Sequence, residues 1–163
     1  MSSTGMRKKW VLIGLVAVLM LAQTVTSVQA KSKGYKFTNK KVTIYMGGPA
    51  KKFINKAGKP KSKKVKKSCA FKGKDRTYKY KDFILYTYSN SDKGAEYVNG
   101  ITFLTSKVST KEGIHIGSPY SSVKKKYGNA KDKLGVYTYK KGSCKLQIEV
   151  TDDVVTNIRY ILA

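Results

Sequence analysis

Six lysines, Lys59, Lys61, Lys63, Lys64, Lys66 and Lys67, stand within nine positions and form the sharpest polar feature of the chain. Charges so close repel one another unless an anion neutralises them. The chemistry they offer is attraction to a polyanion, worth about 1 kcal/mol per lysine near an anionic surface and fading within a Debye length. Lys124, Lys125 and Lys126 extend this patch in the same reading. The run follows a short helix and is expected to be a protruding loop. The competing reading is a mobile, solvated loop with no ligand.

Tyrosine is the second unusual resource, with 12 in 163 residues. Tyr78, Tyr80, Tyr86, Tyr88, Tyr137 and Tyr139 all fall on expected strands. An aromatic row on an open sheet face suits a protein or glycan partner, because tyrosine gives a large contact area at low entropic cost. The alternative is core packing, since tyrosine is also a good strand former and half of these positions must face the helices.

Catalytic chemistry is poorly served. His115 is the only histidine, and its alternation with Ile114 and Ile116 makes it a surface position. Asp152-Asp153 is the only adjacent acidic pair and reads as a turn rather than as a metal or acid–base site. No phosphate-cradling glycine loop or metal-ligand spacing is present, so no catalytic, cofactor or metal residue is assigned and the expectation is a non-enzyme. Cys69 and Cys144 are the only cysteines. An oxidising exterior would let them pair across a long loop, for about 4 kcal/mol in theory. The alternative is two buried free thiols.

The amino-terminal 30 residues have the composition of a secretion signal. Arg7, Lys8 and Lys9 precede an apolar run of about 13 residues, 10–22, and Val28-Gln29-Ala30 has small residues where a signal peptidase cuts. The run is short for a membrane span, and an uncleaved anchor is the competing reading. Removing three basic residues leaves 31 against nine acids, a net charge of +22. Only Arg76 and Arg159 among those 31 are arginine. Lysine is a hydrated point charge, so the surface favours diffuse, salt-sensitive attraction over shape-specific reading of phosphate or bases. The expected partners are therefore an anionic cell-envelope polymer or an extracellular protein, with no specific nucleic acid. A charged surface that merely maintains solubility is the plainer alternative. The exported chain is expected to be a monomer with no transmembrane segment, secreted or held at the cell surface.

These groups need positioning elements, and the chain describes them twice. Ile44, Gly47, Ala50, Phe53 and Gly58 recur 70 residues later as Ile114, Gly117, Tyr120, Val123 and Gly128. Each copy opens with an alternating strand, turns at Gly47 or Gly117, and starts a helix capped by Gly48-Pro49 or Ser118-Pro119. Apolar spacing over Ala50, Phe53 and Ala57, and over Tyr120, Val123 and Tyr127, gives each helix one stripe to bury. Three strands follow each helix: 78–81, 83–88 and 97–105 in the first copy, then 136–139, 144–150 and 154–162 in the second. The fold class is α+β: two tandem strand–helix–three-strand meander repeats in one antiparallel sheet, with short helices on one face. The divisions are 1–30 signal peptide, 31–41 basic segment, 42–105 first repeat, 106–112 linker and 113–163 second repeat.

The strings TIYMGGPAKKFINKAG and IHIGSPYSSVKKKYG resemble the family of β-lactamase inhibitory protein and the SmpA/OmlA-type outer-membrane assembly lipoproteins. That family shares an apolar strand, a glycine, a small capping residue, a short helix and a closing glycine. The resemblance spans most of 42–163 and implies a continuous antiparallel sheet with helices on one face and the other free for a partner. Its Met-Thr after the glycine is Gly48-Pro49 and Ser118-Pro119 here, so no inhibitory loop is carried over. Sequence thus points to a secreted, non-catalytic binding module attracted to anionic polymers. The alternative is a soluble inhibitor of an extracellular enzyme, with an exported Cys- or His-dependent hydrolase a distant third.

Overall fold

Alternation along residues 144–150 is the plainest structural instruction in the chain, and it is obeyed. Cys144, Leu146 and Ile148 are fully buried, while Lys145, Gln147 and Glu149 take the other face. A computed structural model describes residues 34–70 and 72–163; the expected signal peptide lies outside the described residues. The described elements are β1 (Lys36–Asn39), β2 (Val42–Tyr45), α1 (Lys51–Ala57), β3 (Ser62–Lys67), β4 (Lys74–Lys79) and β5 (Phe83–Ser89). They continue with β6 (Glu96–Phe103), α2 (Tyr120–Tyr127), β7 (Asp132–Lys133), β8 (Val136–Lys141), β9 (Cys144–Thr151) and β10 (Val154–Leu162). The class is α+β, dominated by antiparallel sheet.

Eight strands form one sheet in the order β3-β4-β5-β6-β10-β9-β8-β7, and β1 pairs with β2 in a separate hairpin. Outward from the central β6–β10 pair, the strands run back through the chain in the same way on both sides. The segments before the helices are also tied down alike. Gly47 N–H donates to Val98 O (2.7 Å) and Gly117 N–H to Val155 O (2.8 Å). Ala50 N–H donates to Glu96 O and Tyr120 N–H to Asp153 O, both at 2.8 Å. Gly47 and Gly117 meet these demands with φ of 77° and 93°, a region that side chains rarely enter.

One layer covers one face of the sheet. Phe53 of α1, 1 % exposed, lies between Phe37 of β1 and Phe83 of β5, each ring 5.9 Å away. On α2, Val123 is fully buried, and Tyr120 and Tyr127 pack on Tyr137 (4.3 Å) and Tyr139 (5.2 Å) of β8. Tyr160 of β10 closes the centre against Phe103 and Tyr35. Helices of seven and eight residues would not persist alone, so this packing holds them.

Several expectations need correction. Ile114 and Ile116 pack inward as expected, but no strand forms there; the hydrogen bonds of this segment go to Thr110 and Ser118 instead. The Ser118 hydroxyl does not cap α2. It accepts from His115 N–H (3.0 Å), and neither helix has a side-chain cap bond. The hairpin of β1 and β2 adds a second sheet, and Tyr35 and Phe37 of the supposed basic segment enter the core. Residues 62–67 form an edge strand, not a loop. Cys69 and Cys144 are both free, the first exposed and the second buried. Cys69 follows β3, five strands from β9, so about 24 Å separates them at ~4.8 Å per strand. No bridge closes that gap.

Candidate binding face

None of the described elements covers the second face of the sheet. Strand register places its residues in rows that cross the strands. One row reads Lys64, Thr77, Tyr86, Gly100, Ile161, Lys145 and Lys140, from β3 to β8. The next reads Ser62, Lys79, Ile84, Thr102, Arg159 and Gln147. A third, shorter row holds Lys66, Asp75, Tyr88 and Tyr97. The face therefore has an aromatic and apolar middle between two lysine-bearing flanks. Six strand spacings separate Lys64 from Lys140, a span of about 29 Å.

Both central strands are irregular here. Asn99 is the extra residue of a bulge in β6 opposite β5, and Thr156 is its counterpart in β10 opposite β9. Bulges re-aim side chains and disturb the pleat locally. Between them Gly100 allows close strand approach: a Cβ there would lie 2.8 Å from Tyr160 O. The result is a shallow concavity of about 320 Å³, lined by Tyr86, Asn99, Thr102, Asn157, Arg159 and Ile161 together with Gly100 and Tyr160. Arg159 donates from Nη2 to Glu149 Oε1 at 2.9 Å, while its buried Nε has no hydrogen-bond partner among the described residues.

The expected site residues divide between the faces. Tyr86 and Tyr88 lie on the uncovered face, joined by Tyr97, which packs 5.7 Å from Tyr88. Tyr78, Tyr80, Tyr137 and Tyr139 point to the helix side instead, where Tyr78 and Tyr80 are 4 % and 5 % exposed. Desolvation pushes their neighbour Tyr35 up to about 12 from an ordinary 10.0, and it raises Tyr78, Tyr80, Tyr139 and Tyr160 as well. Of the expected partner-binding tyrosines, Tyr78, Tyr80 and Tyr139 are core residues and Tyr137 is partly buried against them, because the helices need a large apolar floor.

The lysines divide too. Lys64 and Lys66 reach the uncovered face, whereas Lys63 turns the other way and stands 5.1 Å above the Tyr78 ring. Lys67 follows Lys63 by alternation, and Lys59 and Lys61 precede the strand. Lys124, Lys125 and Lys126 are exposed on α2, on the helix side near β8, so they do not extend the β3 lysines into one patch. Lys79, Lys140 and Lys145 take that part. The reading of the sequence missed them along with Tyr97, Asn99, Thr102, Asn157 and Arg159. Alternation in β9 and β10 could have flagged Lys145 and Arg159; the bulged positions have no sequence signal.

Nucleophilic and metal chemistry finds little here. Burial pushes the Cys144 thiol up, which disfavours the reactive thiolate, and its Sγ–H faces Lys145 O at 3.6 Å. His115 is exposed, with Nδ1 at 2.9 Å from the Ile116 carbonyl oxygen. Asp152 and Asp153 adopt φ of 49° and 58°, the twisted turn that joins β9 to β10. Among the described residues no group of three His, Cys, Asp or Glu side chains is placed to hold a metal ion. None of the described helices is long and apolar enough to cross a membrane.

No protein-family model matches the chain, and no curated protein matches it either. Among solved structures, it is similar to a cysteine-rich secretory protein from Staphylococcus aureus, at 12 % identity and a TM-score of 0.50. The match covers 72 % of this chain and 44 % of that one, and at this identity it speaks to the fold alone.

Proposed function

We propose that this chain is a secreted, non-catalytic binding module that works at or near the cell envelope, drawn there by lysine attraction to an anionic polymer. The carrying observation is the uncovered face of the eight-stranded sheet, with Tyr86, Gly100 and Ile161 in the middle and Lys64, Lys145 and Lys140 at the ends of one row. A spread of single lysine charges suits a long, flexible polyanion better than a compact ligand. The two halves are read as tandem copies of one unit. Supporting this are the 70-residue offset from Gly47 to Gly117 and the matching hydrogen bonds to β6 and β10. That reading also fits a fold like that of β-lactamase inhibitory protein and the SmpA/OmlA-type lipoproteins.

Co-sedimentation with host cell walls, intact or stripped of their anionic polymers, tests the proposal across a salt series. Binding that disappears with the polymers and weakens steeply with salt is the expected result. Absence of binding at low salt would reduce the charge to solvation.

A second reading, inhibition of an extracellular enzyme, draws on the half-buried tyrosines Tyr86, Tyr88 and Tyr97 and on Arg159, which lines the concavity with Tyr86; both residue types are enriched at protein interfaces. Here complex formation would survive Lys64→Gln and Lys66→Gln but be lost with Tyr86→Ala. The two readings therefore part on the lysines.

A further inference from the structure

We propose that the groove along the β6–β10 seam is a subsite for an acidic sugar residue, held within a polysaccharide chain that crosses the strands. This rests on the polyanion reading above and specifies its ligand. The groove is not a plain gap in the sheet. Bulges in both central strands flank it, and Gly100 leaves its floor without a side chain, so the space between Tyr86 and Ile161 stays open.

Its chemistry is that of hydroxyl recognition beside one arginine that is ion-paired with Glu149. Asn99 and Asn157 each carry two donors and an acceptor oxygen, and Thr102 adds a hydroxyl. Such groups answer the mixed donors and acceptors of a sugar ring. Arg159 supplies a planar fork that matches a carboxylate. Glu149 engages Nη2 and fixes the side chain, and among the described residues the buried Nε–H has no acceptor. Tyr86 offers an aromatic wall to the apolar side of a ring.

The rest of the row says that the ligand is long. Lys64 on one side and Lys145 and Lys140 on the other extend the positive charge across about 29 Å, more than one sugar residue can use. A polymer with a negative charge on successive residues uses all of it, and the groove at the centre reads one of those residues in detail.

Binding of the purified chain to polygalacturonate, to its fully methyl-esterified form and to poly-glutamate separates charge from shape. At about 0.15 M salt, polygalacturonate should bind tighter than poly-glutamate, and the neutral ester should bind weakly. Asn157→Ala and Arg159→Gln should each weaken polygalacturonate binding about tenfold, and Asn157→Ala should leave poly-glutamate binding unchanged. Lys64→Gln with Lys145→Gln should weaken both polymers. Cooperative unfolding of each variant checks that the sheet is intact, and Asn157→Ala carries the test if Arg159→Gln does not fold. Equal binding of both polymers, insensitive to Asn157→Ala, would overturn the subsite while leaving the polyanion reading intact. Tight binding of the ester would overturn the acidic requirement. If neither charged polymer binds at low salt, the polyanion reading itself fails.

Discussion

On the helix side of the sheet, Tyr78, Tyr80, Tyr139 and Tyr160 are at most 7 % exposed, under two helices and a hairpin. On the opposite side, Tyr86, Tyr88 and Tyr97 are only half-buried and face away from the helices. The residue type is the same and the surroundings differ. The buried set is surrounded by phenylalanines: Tyr80 stacks on Phe83 at 4.7 Å, and Phe103 lies 6.0 Å from Tyr160. In the uncovered set, the cross-strand neighbours are Thr77 and Gly100 for Tyr86, and Asp75 and Tyr97 for Tyr88. Neighbours, not tyrosine itself, decide whether an aromatic row is core or contact surface.

The largest effect that separates the faces is in stability. Phe53→Ala should cost about 3–5 kcal/mol, since it empties the space between α1, β1 and β5. Tyr86→Ala, on the uncovered face, should cost about 1 kcal/mol or less. Urea unfolding of both variants measures the contrast, and equal losses would mean that the second face is covered too.

Alkaline pH should act most strongly through the helix side, although burial also raises Tyr88 on the uncovered face. The raised pKa of Tyr35, about 12 against 10.0, means that the unfolded chain loses its phenolic proton first. Stability from this group is complete below pH 10.0 and is lost as pH rises toward about 12. Tyr160 shifts in the same direction by burial. Unfolding midpoints from pH 9 to 11 (roughly one unit either side of the tyrosine value) should fall, with Tyr35→Phe flattening the fall.

Gly100→Ala should cost about 1–3 kcal/mol, because the new Cβ would meet backbone, Tyr160 O at 2.8 Å. Thermal unfolding checks it; a neutral result would show that the seam is looser than the register implies. The smallest effect is expected from Tyr160→Phe. Its buried hydroxyl has no partner among the described residues, so removal should be neutral or stabilising by up to about 1 kcal/mol.

Much of this architecture is legible in the chain. Helical spacing around Phe53 and Val123, closed by Gly58 and Gly128 at φ of 87° and 79°, marks α1 and α2. Alternation marks β8, β9 and β10, and β-rich runs mark β5 and β6. The edge strand β3 was hidden because Ser62–Lys67 is exposed on both faces and so has no apolar period. Lysine there also guards an open edge against pairing with another chain. Residues 114–116 alternate like a strand yet bond to Thr110 and Ser118, which only the tertiary fold supplies. The candidate face was half legible. Alternation separates Tyr86 and Tyr88 from buried Leu85 and Thr87, but nothing local says which side the helices choose. The concavity was invisible, since it depends on register shifts at Asn99 and Thr156 that arise between strands.

The claim on which all this turns is that the uncovered face, rather than the lysines of α2, meets the anionic partner. Amide chemical shifts recorded during titration with solubilised anionic cell-wall polymer test it most directly. Changes should concentrate on β5, β6 and β10 around Tyr86, Gly100 and Arg159, with smaller ones at Lys64 and Lys145. Changes centred on Lys124, Lys125 and Lys126, with β6 and β10 silent, would contradict it.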